Sequence, residues 1–202
     1  VVQLKIADEM WVLRPQHFLT LCDLMIERDY GFNIWAYARV NTIKERYLER
    51  LKRAGVSWLA IGIESGNQVV RQEVSKGKFQ DVDIVDIINL VRQYDINVGA
   101  NYIFGLEGDT WDTMNDTLNL SMELNTENAN FYCATALPGS PTYQALTATD
   151  NRIPKDYSEY GFLSYDHVPN STTTLRPNEI LAFRDYAFHT YFENPRYLNL
   201  IE

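Results

Sequence analysis

Apolar positions along this chain switch between two rhythms, and the switch repeats. Short apolar or alternating runs at 4–7, 33–38, 58–63, 97–104 and 129–136 predict β-strands, the first announced by Val2, Leu4 and Ile6 at period two. Between them the period lengthens to that of a helix. Phe18, Cys22, Met25, Ile26 and Asp29 share one stripe of a helix predicted from Pro15 to Asp29, with Gly31 just beyond. Thr42-Ile-Lys-Glu45 reads as a capping box opening a second helix, with Tyr47, Leu48, Leu51 and Ala54 inward and a stop at Gly55. A third is predicted over 80–94 through Val82, Val85, Ile88 and Val91. A fourth starts at Asp109 or Thr110 and carries Met114, Leu118, Met122 and Asn125.

Strand-then-helix alternation at this spacing predicts an α/β fold of five neighbouring parallel strands joined by right-handed crossover helices. After Pro141 the rhythm fades. Residues 147–152 and 170–174 have loop compositions, and the aromatic-rich stretch 157–165 predicts a lid. A last helix is expected from Pro177, with Ile180, Phe183, Ala187 and Tyr191 on one stripe. The expected division is residues 1–145 as the main layer structure and 146–202 as a C-terminal extension of loops and a helix.

A formal charge of -9 over 202 residues argues against a sequence-independent nucleic-acid binder and favours a small-molecule ligand. Cys22 and Cys133 offer neither a disulfide framework nor a metal knuckle, so both read as buried hydrophobes. His17, His167 and His189 have no ligand spacing, and no metal ligand is assigned. No apolar run approaches the roughly 20 residues of a membrane span, and the composition suits a cytoplasmic protein. Because Val1 replaces an initiator Met and a strand begins at once, the chain is expected to be a piece of a longer protein.

Polar residues gather at the carboxyl ends of the expected strands: Asp8 and Glu9, Arg39, Glu64 and Ser65, Gly105 to Asp109, and Pro138 to Ser140. Strand ends of one polarity are where parallel barrels build sites. The segments, in order, are Ile6-Ala-Asp-Glu-Met-Trp11, Trp35-Ala-Tyr-Ala-Arg39, Ile61-Gly-Ile-Glu-Ser-Gly66 with Lys76-Gly77, Asn101-Tyr-Ile-Phe-Gly-Leu-Glu-Gly-Asp-Thr110 and Ala136-Leu-Pro-Gly-Ser-Pro-Thr-Tyr143.

Together they resemble the second to sixth strand segments of the radical S-adenosylmethionine (SAM) enzymes, especially the cobalamin-associated branch. The resemblance runs to about Tyr143. It implies a partial, TIM-like (β/α) barrel and a cofactor set of SAM, a [4Fe-4S] cluster and, in that branch, cobalamin. The implied reaction is reductive cleavage of SAM to a 5'-deoxyadenosyl radical acting on a small-molecule substrate, with methyl transfer or rearrangement where cobalamin takes part. A flavodoxin or ferredoxin would donate the electron. By the same resemblance, Asp8 or Glu9 would meet the methionine ammonium and Arg39 the carboxylate. Glu64 and Ser65 would hold ribose hydroxyls or the amino-acid end. Gly105 and Gly108 would let backbone approach the adenosine, and the Leu137-Pro138-Gly139 turn would flank the adenine.

Plainer readings stand beside these. Asp8 and Glu9 also suit a helix cap, Arg39 an internal bridge to Glu64, and Gly105, Gly108 and Asp109 an ordinary strand-to-helix turn. Glu107 stands where the family usually has proline, and the three-cysteine CxxxCxxC loop is absent, so the cluster ligands are expected before Val1. No general acid or base is named. Two rival functions remain: a polar-chemistry lyase or aldolase using Glu64 as base or Lys5 as amine nucleophile, and a non-catalytic module binding through the aromatic region 157–191.

Overall fold

In the computed structural model, which describes residues 2–75, 83–149 and 153–202, five strands form one parallel sheet in chain order. They are β1 (Val2–Lys5), β2 (Phe32–Arg39), β3 (Val56–Glu64), β4 (Asn97–Phe104) and β5 (Asn128–Cys133). The helices are α1 (Pro15–Glu27), α2 (Glu45–Arg53), α3 (Gln68–Ser75), α4 (Ile84–Gln93), α5 (Trp111–Leu124), α6 (Pro141–Thr149), α7 (Pro177–Phe192) and α8 (Pro195–Ile201). The sheet curls into an open half-barrel.

Alternation along each strand divides two surfaces. Ala36 and Ala38, Leu59, Ile61 and Ile63, Val98, Ala100, Tyr102 and Phe104, and Phe131 point outward and are buried. Leu48 and Leu51 of α2, Ile88 and Val91 of α4, Met114 of α5, and Ile180 and Ala187 of α7 are buried in the same core. Each fully buried aliphatic or aromatic side chain contributes about 1.5–3 kcal/mol, so this layer holds the helices against the sheet. The alternate residues face the lumen. There Trp35 stacks on Trp58 at 5.0 Å between ring centroids, and Gly99 leaves room for it: a Cβ would lie 3.2 Å from the Trp35 ring.

The helix predicted from Pro177 takes its place in the outer layer. Phe183 packs edge-on against Phe104 at 5.0 Å and Tyr191 against Phe131 at 5.7 Å. The buried Tyr191 hydroxyl donates to the Thr126 carbonyl at 2.6 Å. Tyr191→Phe is expected to cost about 1–2 kcal/mol, read as a lower urea midpoint at unchanged slope. Arg184, also buried on α7, donates to the Phe162 carbonyl at 3.0 Å and pairs with Asp185 at 2.7 Å, which fixes the aromatic loop to the barrel.

Several expectations need correcting. The Thr42–Glu45 capping box does not form. Thr42 closes a 3-10 turn by accepting from the Arg39 amide at 3.3 Å, and Ile43 stays extended so that its side chain is buried; α2 starts later, behind Lys44. Helices α3, α6 and α8 were not expected. Asn67 opens α3 by accepting from the amides of Val69 and Val70, and Asn194 caps α8 from Arg196. β5 stops at Cys133 because the next residues turn to Asn170, whose amide donates to the Ala134 carbonyl and whose side chain accepts from the Ala136 amide. Lys76, Gly77, the first turn expected of the third helix and part of the 147–152 loop lie outside the described residues.

Candidate functional site

The carboxyl ends of the strands open into a cavity of about 1320 Å³. Its width is written in the inner residues of the central strands: Ala60 and Gly62 of β3, and Gly105 just after β4, line it and occupy almost no space. Arg39, Glu64 and Asn101 stand around them, with Glu9, Glu107 and Gly108 at the rim.

Glu64 carries the strongest local signature. Its φ is +70°, in the left-handed region that costs a non-glycine residue roughly 1 kcal/mol or more, and the β3–β4 register shifts between Gly62 and Glu64. The bulge swings the carboxylate back over Gly62, where a Cβ would lie 2.5 Å from Oε1. Only glycine permits that fold-back. Burial pushes the Glu64 pKa up, and the nearby Arg39 guanidinium partly opposes the rise. Arg39 is steered by its own turn, its Nε donating to Asn41 Oδ1 at 2.6 Å.

Of the site residues expected from the sequence, Glu9, Arg39, Glu64, Gly105 and Gly108 line this cavity. The other five do not. Asp8 accepts from the Met10 amide at 2.9 Å and closes an exposed turn. Ser65 is fully buried, 3.2 Å from the Thr117 hydroxyl, because the backbone reversal at Glu64 sends the next side chain outward. Gly66 follows it: its amide donates to Thr117 Oγ1 at 2.9 Å, and a Cβ there would meet α5 backbone atoms at 2.5–2.8 Å. Leu137, Pro138 and Gly139 lie in the turn before α6, and Ala134 and Thr135 form the cavity wall in their place. Asp109 is buried, accepting from the Leu106 amide and the Thr113 hydroxyl, and Thr110 caps α5. Gly62, Tyr37, Tyr132 and Thr135 went unrecognised as lining residues. Gly62 was findable, since it precedes Glu64 by two on the same strand.

This arrangement, with its chain order of strand ends, is matched by comparison. Residues 18–121 match the radical SAM superfamily. The chain belongs to that superfamily. The radical SAM enzymes use SAM and a [4Fe-4S] cluster. The anaerobic magnesium-protoporphyrin IX monomethyl ester cyclases of Cereibacter sphaeroides and Rubrivivax gelatinosus are each 27% identical to this chain, over 83% and 96% of it and 28% and 34% of their own lengths. The bacteriochlorophyllide d C-12(1)-methyltransferase of Chlorobaculum tepidum is 23% identical over 83% of the chain and 36% of its own length. The chain thus spans about a third of these relatives. Among solved structures, the radical SAM methyltransferase TsrM of Kitasatospora setae, with cobalamin and a [4Fe-4S] cluster bound, superposes with a TM-score of 0.62 at 19% identity, covering 77% of this chain and 32% of its own. Coproporphyrinogen III oxidase of Escherichia coli gives 0.59 at 17%, covering 90% and 37%. Both share the half-barrel fold.

The cysteines do not fit a cluster. Cys22 on α1 and Cys133 on β5 are both buried, and the Cys133 thiol turns to the Ile180 carbonyl at 3.9 Å, so they do not form the group of closely spaced thiolates that holds a cluster. Among the described residues no group of three or more His, Cys, Asp or Glu side chains is placed to hold a metal ion.

Proposed function

We propose that this chain forms the SAM-binding wall of a radical SAM enzyme, with the cluster held by cysteines outside these 202 residues. The observation that carries the reading is Glu64, held in a strained conformation over Gly62 and facing Arg39 inside the cavity. Backbone strain of this kind persists where a site needs the side chain placed. Arg39 suits the methionine carboxylate, since a guanidinium offers two parallel bonds, and Glu64 and Glu9 suit the ammonium and the ribose hydroxyls. The glycines at 62, 105 and 108 leave room for the nucleoside. Asp8, Ser65 and Leu137 to Gly139 act from behind, by shaping the turns.

Bound SAM supplies one-electron chemistry at its 5'-carbon. The chain's part is to orient the sulfonium and to exclude water. By likeness to the cyclases, the chlorophyllide methyltransferase and the cobalamin-bound neighbour, we infer methyl transfer or ring closure on an organic small molecule, with cobalamin and with electrons from a flavodoxin or ferredoxin in the cytoplasm. No helix among the described residues is long and apolar enough to cross a membrane.

The rivals lose ground. Lys5 is exposed and its pKa is raised by the Tyr37 phenol beside it, so the amine stays protonated and is a poor nucleophile. Phe183 and Tyr191 pack inward and Phe162 lines the cavity, so part of the aromatic region serves the barrel, while Tyr157, Tyr165, Tyr186 and Phe188 are exposed.

Anaerobically purified protein is the material for the test. Expected results are saturable SAM binding by calorimetry, its loss in Arg39→Met, and 5'-deoxyadenosine formation once the cluster-bearing segment is present. Wild-type protein that takes up no SAM with the cluster in place would end the proposal.

A further inference from the structure

Lys5 is used by none of this. It stands on the inner face of β1, in register with Trp35, and its Nζ lies 5.5 Å from the centroid of the Tyr37 ring on β2. Tyr132 comes from β5, at the opposite edge of the sheet, yet is close enough for its phenol to feel both Lys5 and Tyr37. The curl of the half-barrel therefore gathers an ammonium and two phenols from β1, β2 and β5 across one lumen. Tyr37 and Tyr132 line the cavity.

All three groups are hydrogen-bond donors. Among the described residues no carboxylate pairs with Lys5, and the Tyr132 hydroxyl has no hydrogen-bond partner. The Tyr37 phenol oxygen takes one proton of Lys5, which leaves the other two ammonium protons and the two phenol protons. Donors left over on groups that converge on a cavity are completed by an acceptor on the ligand. We propose that Lys5, Tyr37 and Tyr132 bind a carboxylate of the organic co-substrate. A single ammonium balances one negative charge. Glu9, Glu64 and Glu107 around the same cavity oppose a more highly charged group such as a phosphate dianion. Space is available as well: about 1320 Å³ exceeds the roughly 300–1,000 Å³ of a pocket for one drug-sized ligand, which leaves room beside SAM. The inference rests on the SAM reading only in reserving Arg39 for the methionine carboxylate.

Reductive methylation with ¹³C-formaldehyde keeps the charge of Lys5 and gives it an NMR signal, which Lys5→Met assigns. The whole protein is then titrated with propionate, with propionamide as the neutral control at matched ionic strength. The Lys5 signal is expected to shift saturably with propionate alone, at least threefold more weakly in Tyr132→Phe, and to do so with SAM already bound. A linear shift, or an equal response to propionamide, overturns the proposal. Displacement of propionate by SAM but not by methylthioadenosine, which lacks the carboxylate, would give the cluster to the methionine end and overturn the co-substrate assignment. The SAM affinity of Lys5→Met is expected to equal that of the wild type. Propionate binding that persists where wild-type protein takes up no SAM would sink the SAM reading and leave the carboxylate subsite standing.

Discussion

Glu64→Gln is expected to make the protein more stable and a poorer binder at once. Burial raises the Glu64 pKa in the folded state above its unfolded value, so the folded protein holds the proton over the window between the two. Stability therefore falls as pH rises through that window and levels off above the folded pKa. Glutamine carries no such penalty: its thermal midpoint should match the wild type below the ordinary glutamate range and exceed it at neutral pH. Glu64→Gly should add about 1 kcal/mol more by relieving the left-handed strain, less the entropy glycine costs. Both should weaken SAM binding roughly 10–100-fold, the worth of one charge-assisted contact of about 1.5–3 kcal/mol. Wild-type affinity should itself rise with pH through the same window, because the ammonium of SAM requires the ionised carboxylate. Calorimetry from pH 4 to 8 reads both effects; a variant that binds as well as the wild type removes Glu64 from the site.

Gly66→Ala should be the most damaging single methyl in the region. The added Cβ meets the Asp116 carbonyl oxygen at 2.5 Å and Thr117 Cα at 2.7 Å, both backbone atoms of α5 that cannot rotate away. The Gly66 amide also loses its geometry to Thr117 Oγ1. A cost of about 3 kcal/mol is expected, at the upper end for overpacking, and a fall of about 6–12 °C in thermal midpoint for a chain of this size. Thr117→Val, which strands the same amide, should cost about 1–3 kcal/mol, and the double variant should cost less than the sum. A strictly additive pair would mean that the loop and α5 are not coupled through this contact.

These two variants divide one motif. Ile-Gly-Ile-Glu-Ser-Gly at 61–66 reads in sequence as a single polar strand end, yet Gly62 and Glu64 serve the cavity while Ser65 and Gly66 anchor the loop to α5. Alternation cannot reveal this, because the bulge and positive φ at Glu64 break the period of two at the point where the chemistry begins. A similar reason explains the Leu137–Gly139 turn. Its composition announces a turn correctly, but the position of that turn relative to the lumen depends on Asn170, 31 or more residues away, drawing Ala134 and Ala136 aside.

The sequence by itself determined the strand and helix rhythm, the parallel order, and which strand ends carry charge, because period, caps and composition are local properties. Helices α3, α6 and α8 escaped it. They bury too few residues to print an apolar stripe. Tertiary structure alone decided what meets across the lumen. Tyr132 comes near Lys5 and Tyr37 only because twist and curl carry β5 round toward β1, a distance that accumulates over five strands and is encoded in no one of them.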